Sequence, residues 1–289
     1  MYSNLKELLD LANEKEVPLS EIILENEENL TEKSEEQIFE KLEQRLQVME
    51  RSIERALEKP LATVGSLISG ISQAQYCYSQ RVDTVCGSFI NLVMARALSG
   101  SETNAAMGRI CAAPTAGSCG ILPAVLISVS EKNHIERRKT LMALLTASGV
   151  GAVIMKNASV SGAEAGCQAE CGAAGAMAAA AVVELLGGTP EQALNAVAFT
   201  FMNCMGLICD PVAGLVQVPC AQRNASQAVN ALLSADLAMA GMKNPIPPDE
   251  VVEAMYRVGQ MLPSALRETS LGGIAATKTG SEINQSIFR

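Results

Sequence analysis

A chain of 289 residues with a formal net charge of −9, 3% aromatic residues and no Trp is a poor nucleic-acid binder. Phosphate binding needs clustered Lys and Arg, and base stacking needs aromatic platforms. Nine cysteines, an odd count, behind an opening MYSNLKELLDLANEKEV that lacks a basic-then-apolar leader, favour reduced thiols in a cytoplasmic protein over a disulfide framework.

Residues 1–60 read as a charged helical arm, dense in Glu, Lys and Arg. Ser34 caps a helix through EEQIFEKLEQRLQVMERSIERALEK, in which Ile38, Leu42, Leu46, Met49, Ile53 and Leu57 make one apolar stripe. Pro60 ends it. From 61 to 289 the charge thins into an Ala/Gly-rich core with uncharged runs at 110–130, 140–155 and 192–209. The first and third are long enough to span a bilayer. However, Pro114, Pro123, Gly117 and Gly120 interrupt the first, and the third carries Gln192, Asn195 and Asn203. Thr189-Pro190-Glu191 opens the third as a soluble helix opens: cap, proline, then an acid. No membrane is expected. Further helices are predicted over 174–186, stopped by Gly187-Gly188, and over 248–262, opened by Pro248 and Asp249. LVQV at 215–218 is the best strand signal. The expected class is mainly α: a charged N-terminal helical arm followed by an Ala/Gly-rich helical catalytic core with little strand.

There is no GxGxxG after a strand and no P-loop. The one histidine, His134, sits in the polar stretch SEKNHIERRK and reads as a surface residue. A Ser-His-Asp or Cys-His engine within this chain is therefore not expected, and acid–base chemistry falls to Lys, Asp, Glu, a hydroxyl or a partner chain. Thr115, Ala116, Gly117 and Ser118 lie in a Pro/Gly-broken turn before ILPAVLISV, where free N–H groups at a helix start attract a carboxylate or phosphate. The same pattern also suits a plain turn between packed helices. Lys156, Asn157 and Ser161 surround an apolar stretch, which makes Lys156 a candidate base or carboxylate partner, or equally a lysine snorkelling at a core edge.

Among the thiols, Cys77 and Cys86 have no close partner, and Cys111 and Cys119 flank the turn. Cys167, Cys171, Cys204, Cys209 and Cys220 concentrate in one stretch, spaced C-x3-C and C-x4-C. Zinc knuckles use paired C-x2-C, and ferredoxins use a contiguous run. The spacing permits a cluster and does not choose its ligands.

Three segments carry a resemblance: AAMGRICAAPTAGSCGILPAVL, the long run from KNASVSGAEAGCQAECG to VAGLVQVPC, and RETSLGGIAATKTG. Together they resemble the α chain of the iron–sulfur-dependent bacterial L-serine dehydratases (L-serine ammonia-lyases) over almost the whole chain. That resemblance implies a 4Fe–4S cluster with one open iron, held by Cys167, Cys209 and Cys220, with no pyridoxal phosphate. It implies that the PTAGS turn holds the carboxylate of L-serine through N–H groups, Thr115 and Ser118. Loss of the α-proton and hydroxide would then give aminoacrylate, which ends as pyruvate and ammonium. Lys156, Asn157 and Ser161 become the candidate catalytic residues. The resemblance further implies a separate β chain that completes the active site, since single-chain relatives carry an additional N-terminal domain and end in a cysteine where this chain ends NQSIFR. An oligomer of α chains is also expected. The competing readings are an electron-transfer iron–sulfur protein and a structural zinc protein.

Overall fold

A computed structural model describes residues 1–288, and their architecture follows from how local capping and small side chains divide the chain. Helices α1 (Leu5–Lys15), α2 (Leu19–Thr31) and α3 (Glu35–Glu54) form the charged N-terminal segment. Asn4 caps α1, and Ser34 with Gln37 closes a capping box on α3. The Ile38-to-Ile53 stripe is buried as its spacing predicts. The helix nevertheless stops at Glu54, short of Pro60. The Ala56 N–H goes to Ser99 Oγ (3.0 Å), and the Ala56 carbonyl accepts from Ser72 Oγ (3.0 Å). Backbone groups that would continue the helix are thus engaged by tertiary partners.

The remaining elements are α4 (Ile71–Ser79), α5 (Gly87–Ala105), α6 (Ile121–Lys132), α7 (Arg137–Asn157), the single turn α8 (Gly162–Ala165), α9 (Cys167–Leu185), α10 (Pro190–Cys204), α11 (Cys220–Met239), α12 (Pro248–Met261) and α13 (Lys278–Ile287). The mainly helical expectation holds, and no strand forms among the described residues. LVQV is a loop, because no strand lies beside it to take its hydrogen bonds. It closes on itself through Gln217 N–H to the Leu215 carbonyl (2.7 Å) and Val212 N–H to the Val218 carbonyl (2.8 Å).

The centre of the molecule is α9. Every residue of this helix is buried except Glu170 and Glu184, as expected of a helix apolar on all faces. Its Ala and Gly positions let α7, α10, α11 and α6 pack around it. A Cβ at Gly172 would stand 2.8 Å from Cys204 Sγ on α10. Side chains of α1–α3 enter the same buried cluster, with Leu5, Leu8, Ile23 and Leu46 among them. Thr189 caps α10 with Pro190 at its first position, as predicted. Asp249, in the first turn of α12, accepts from the N–H groups of Leu5 and Lys6 (2.9 Å each) and ties that helix to the start of α1.

Helix α7 is long and apolar enough to cross a membrane, but 67% of the qualifying window is buried inside the protein. The other two uncharged runs form no span. Residues 110–120 are mostly loop, and α10 ends at Cys204.

Candidate metal centre

Cys167 is the first residue of α9 and Cys220 the first of α11, while Cys209 lies in the loop between α10 and α11. Helix N-termini present free N–H groups and the positive end of the helix dipole, which favours thiolate over thiol. The turn into α9 needs glycine at 166. Its φ is 78°, and a Cβ there would stand 2.7 Å from the Leu207 carbonyl oxygen. Gln168 N–H donates to that same carbonyl (3.0 Å), which holds the approach to Cys209 against α9. The other side of Cys209 is pinned by the segment after α12. Cys209 N–H donates to the Leu266 carbonyl (2.9 Å), and Glu268 N–H donates to the Cys209 carbonyl (2.7 Å). A Cβ at Gly162 would sit 3.0 Å from Cys209 Sγ, so α8 closes the remaining side. All three thiols are buried.

Their electrostatics join them into one group. Cys167 and Cys171, one helical turn apart, have Sγ atoms 3.3 Å from each other. The Cys171 thiol beside it holds Cys167 below the ordinary thiol range, the Arg223 guanidinium adds to this, and burial opposes it. Burial pushes Cys220 up to about 12 and Cys209 higher still, and in both the charge of Cys167 adds to the effect. Thiols kept protonated this way release protons on taking a metal, so loading is favoured as pH rises. Arg223 also lies 2.8 Å from Asp210 Oδ1 and donates to the Ile208 carbonyl (2.8 Å). Asp210 Oδ2 in turn accepts from Ile274 N–H (2.8 Å). A buried ion pair therefore stitches the Cys209 loop, α11 and the RETSLGGIAATKTG segment together.

The Thr115–Ser118 loop reaches this group through two side chains. Glu170, in the first turn of α9, accepts from Thr115 Oγ1 (2.5 Å), and its carboxylate lies within 4.8 Å of the Cys167 and Cys171 sulfurs. Burial raises its pKa, and the Thr115 hydrogen bond opposes that rise. Asn224 of α11 donates to the Gly117 carbonyl (2.7 Å) and accepts from Gly120 N–H (3.0 Å). The N-terminal turns of α6, α9 and α11 therefore meet at one place. Replacing Asn224 by Ala leaves two polar backbone groups unpaired, at about 1–3 kcal/mol for each that stays buried. The expected result is a lower melting temperature together with weakened serine binding, read by thermal unfolding and by KM.

Each predicted residue now has a position. Thr115 is half-buried and faces Glu170, whereas Ser118 is fully buried beneath it, with the two hydroxyls 3.0 Å apart. Ala116 is exposed, and Gly117 packs under Glu170, whose Oε1 a Cβ there would meet at 2.5 Å. Ser161 precedes α8 and adjoins the glycine that packs on Cys209. Lys156 and Asn157 belong to the last turn of α7. Both are exposed at the end of α7, where Asn157 donates to the Ser3 carbonyl (2.8 Å) and Lys156 lies near enough to Glu7 to stabilise its charge. His134 is exposed, as expected. Glu170, Asn224 and Arg223 were not foreseen. Glu170 alone left a sequence signal: an isolated acid in an Ala-rich helix, three residues after a cysteine and so on the same face.

A buried set of soft sulfur donors, crossed by one guanidinium and flanked by helix N-termini, suits an anionic iron–sulfur cluster. The arrangement is a candidate thiolate metal site set beside a small hydroxyl-bearing loop.

Residues 14–275 match the family described as serine dehydratase alpha chain. The chain is 46% identical over 288 residues to a probable L-serine dehydratase, alpha chain, of Bacillus subtilis, spanning 100% of this chain and 96% of that protein. It is 47% identical over 289 residues to the L-serine dehydratase, alpha chain, of Peptoniphilus asaccharolyticus, at 100% and 99% coverage. Against L-serine dehydratase TdcG of Escherichia coli the identity is 39% over 275 residues, with 93% of this chain matching 60% of that longer protein. The chain belongs to the serine dehydratase alpha chain family.

Proposed function

We propose that this chain is the catalytic subunit of a lyase that deaminates L-serine to pyruvate and ammonium, using a 4Fe–4S cluster held by Cys167, Cys209 and Cys220. The observation that supports this reading is the buried group of Cys167, Glu170 and Cys171, tied to the Thr115–Ser118 loop through Glu170, with Asn224 joining that loop to the helix that Cys220 begins. When bound, a cluster with an open iron supplies a Lewis acid for serine's β-hydroxyl, an otherwise poor leaving group.

This chain's residues do the rest. Thr115 and the backbone of exposed Ala116 and half-buried Gly117 receive the substrate carboxylate, while Ser118 acts from beneath by orienting the Thr115 hydroxyl. Glu170, one of whose oxygens accepts from Thr115, holds or moves a proton at its other carboxylate oxygen, and burial raises its pKa. Ser161 lines the Cys209 side. Asn157 ties α7 to the N-terminal segment, and the acid–base role is assigned to Glu170 and to groups from a separate β chain. The names of the Bacillus and Peptoniphilus relatives, as alpha chains, support such a partner. We assign the enzyme to the cytoplasm, where these thiols stay reduced. Family membership weighs against the electron-transfer and zinc readings.

Anaerobic co-purification with the β chain should give iron and inorganic sulfide in equal amounts and pyruvate from serine. Thr115→Val should raise KM for serine about ten- to a hundredfold, the equivalent of about 1.5–3 kcal/mol for a hydrogen bond to a charged group. Serine amide should lose a similar advantage with the unaltered enzyme. Unchanged KM in both experiments would return the loop to a structural turn.

A further inference from the structure

A second cavity lies apart from the thiols. It is a cleft of about 360 Å³, open to solvent on one side, between α3, α6, α7 and α9, with an apolar lining that includes Leu42, Met49, Leu122, Leu144 and Met177. Arg45 and Cys111 stand in its wall, and both also line a neighbouring groove of about 340 Å³ that adds Lys41 and Arg109. A further groove on the α2–α3 side shares Arg45 and Lys41 and adds Lys33.

Arg45 thus stands in the wall of the apolar cavity, and Lys41, Arg109 and Lys33 line the two grooves beside it, in a chain of net charge −9. None of the four lies within 4.0 Å of a carboxylate among the described residues, although seven other Lys and Arg of the same chain do pair with Glu at such distances. They crowd one another instead. Lys33 and Arg45 both weigh against the charged form of Lys41, and Glu27 is the one acid whose charge favours it. Like charges gathered at exposed or half-buried positions repel one another modestly in water, and an anion among them would relieve that repulsion. Ligand pockets have this make-up: a few hundred Å³, mostly apolar, with a small number of placed polar groups.

We infer that this cavity binds a small carboxylic acid with a hydrocarbon tail, its carboxylate on Arg45 with Lys41 beside it and its tail among Leu42, Met49, Leu122 and Met177. Acetate would lack the tail, and an alcohol of equal length would lack the charge. The cavity wall Cys111–Pro114 runs directly into Thr115, so an occupant lies against the base of the loop that faces the thiols.

Cys111, partly exposed in the cavity wall, reports occupancy, and exposed Cys77 and Cys86 serve as internal controls. The full-length chain, purified anaerobically, is labelled with N-ethylmaleimide with and without octanoate, and each cysteine is followed by peptide mass spectrometry. At about ten times its dissociation constant, octanoate should slow Cys111 labelling about tenfold, since only the free protein reacts. Labelling of Cys77 and Cys86 should not change. Acetate and 1-octanol at the same concentration should leave Cys111 labelling nearly as fast as in their absence. Arg45→Gln, at an exposed position, should remove most of the protection. Ala152→Leu, which fills the cavity from an exposed wall position, should do the same. Absence of protection by octanoate, equal protection by octanol or acetate, or protection that survives both substitutions would each overturn the assignment.

Discussion

Replacing Cys209 by Ser is expected to abolish cluster absorbance and serine turnover while leaving the helical fold in place. The backbone at this position is held whatever the side chain, through its N–H to Leu266 and its carbonyl from Glu268. Ser is close to isosteric, so the buried site is neither emptied nor overfilled. What changes is the donor: a hydroxyl is a poor soft-metal ligand at neutral pH. Loss of a residue that merely supports a ligand costs about 10–100-fold in affinity or activity, and loss of a ligand should exceed that. Cys167→Ser and Cys220→Ser should behave alike. Cys171→Ser is the informative contrast, because a serine there can still donate to the Cys167 sulfur. It should keep most of the absorbance, as should Cys204→Ser on α10. Absorbance lost in Cys171→Ser and kept in Cys167→Ser would reverse the assignment.

The largest effect on stability should come from Gly120→Ala. Gly120 has an ordinary backbone, so the constraint is space alone. A Cβ there would stand 2.2 Å from the Ala97 carbonyl oxygen and 3.0 Å from its carbon. Backbone on α5 cannot rotate away as a side chain would, so α5 and α6 must separate. Overpacking of this kind costs about 1–3 kcal/mol and occasionally more. At about 2–4 °C per kcal/mol for a chain of this size, the melting temperature should fall by roughly 6–12 °C if the cost reaches the upper end. Asn224 should also lose its hold on Gly120 N–H, so serine binding weakens as well. Thermal unfolding by circular dichroism reads the first effect. A melting temperature unchanged within a degree or so would show that the α5–α6 contact yields easily.

Much of the fold was legible because helix starts are local chemistry. Ser34, Thr189-Pro190 and Pro248 each mark a helix entry that needs only the next few residues to form. The end of α3 was not legible, since Ser72 and Ser99, far along the chain, capture the Ala56 backbone. LVQV misled for a related reason: β-rich composition makes a strand only where a partner strand exists. At the site, spacing could not distinguish Cys171 and Cys204 from Cys209 and Cys220, and the choice of ligands came from the family resemblance. Glu170 and Asn224 gain their roles only once α6, α9 and α11 converge, which no local pattern records. Lys156 read either as a candidate base or as a lysine at a core edge, and the end of α7 that carries it meets Ser3 through Asn157.

The central claim is that three thiolates of this chain hold a cluster whose remaining iron meets serine. Mössbauer spectroscopy on the anaerobically loaded α–β enzyme, enriched in iron-57, tests it most directly. One iron site, about a quarter of the signal from a four-iron cluster, should shift when L-serine is added, while the other three stay unchanged. Irons that are all alike and unmoved by serine, or iron bound without inorganic sulfide, would contradict it.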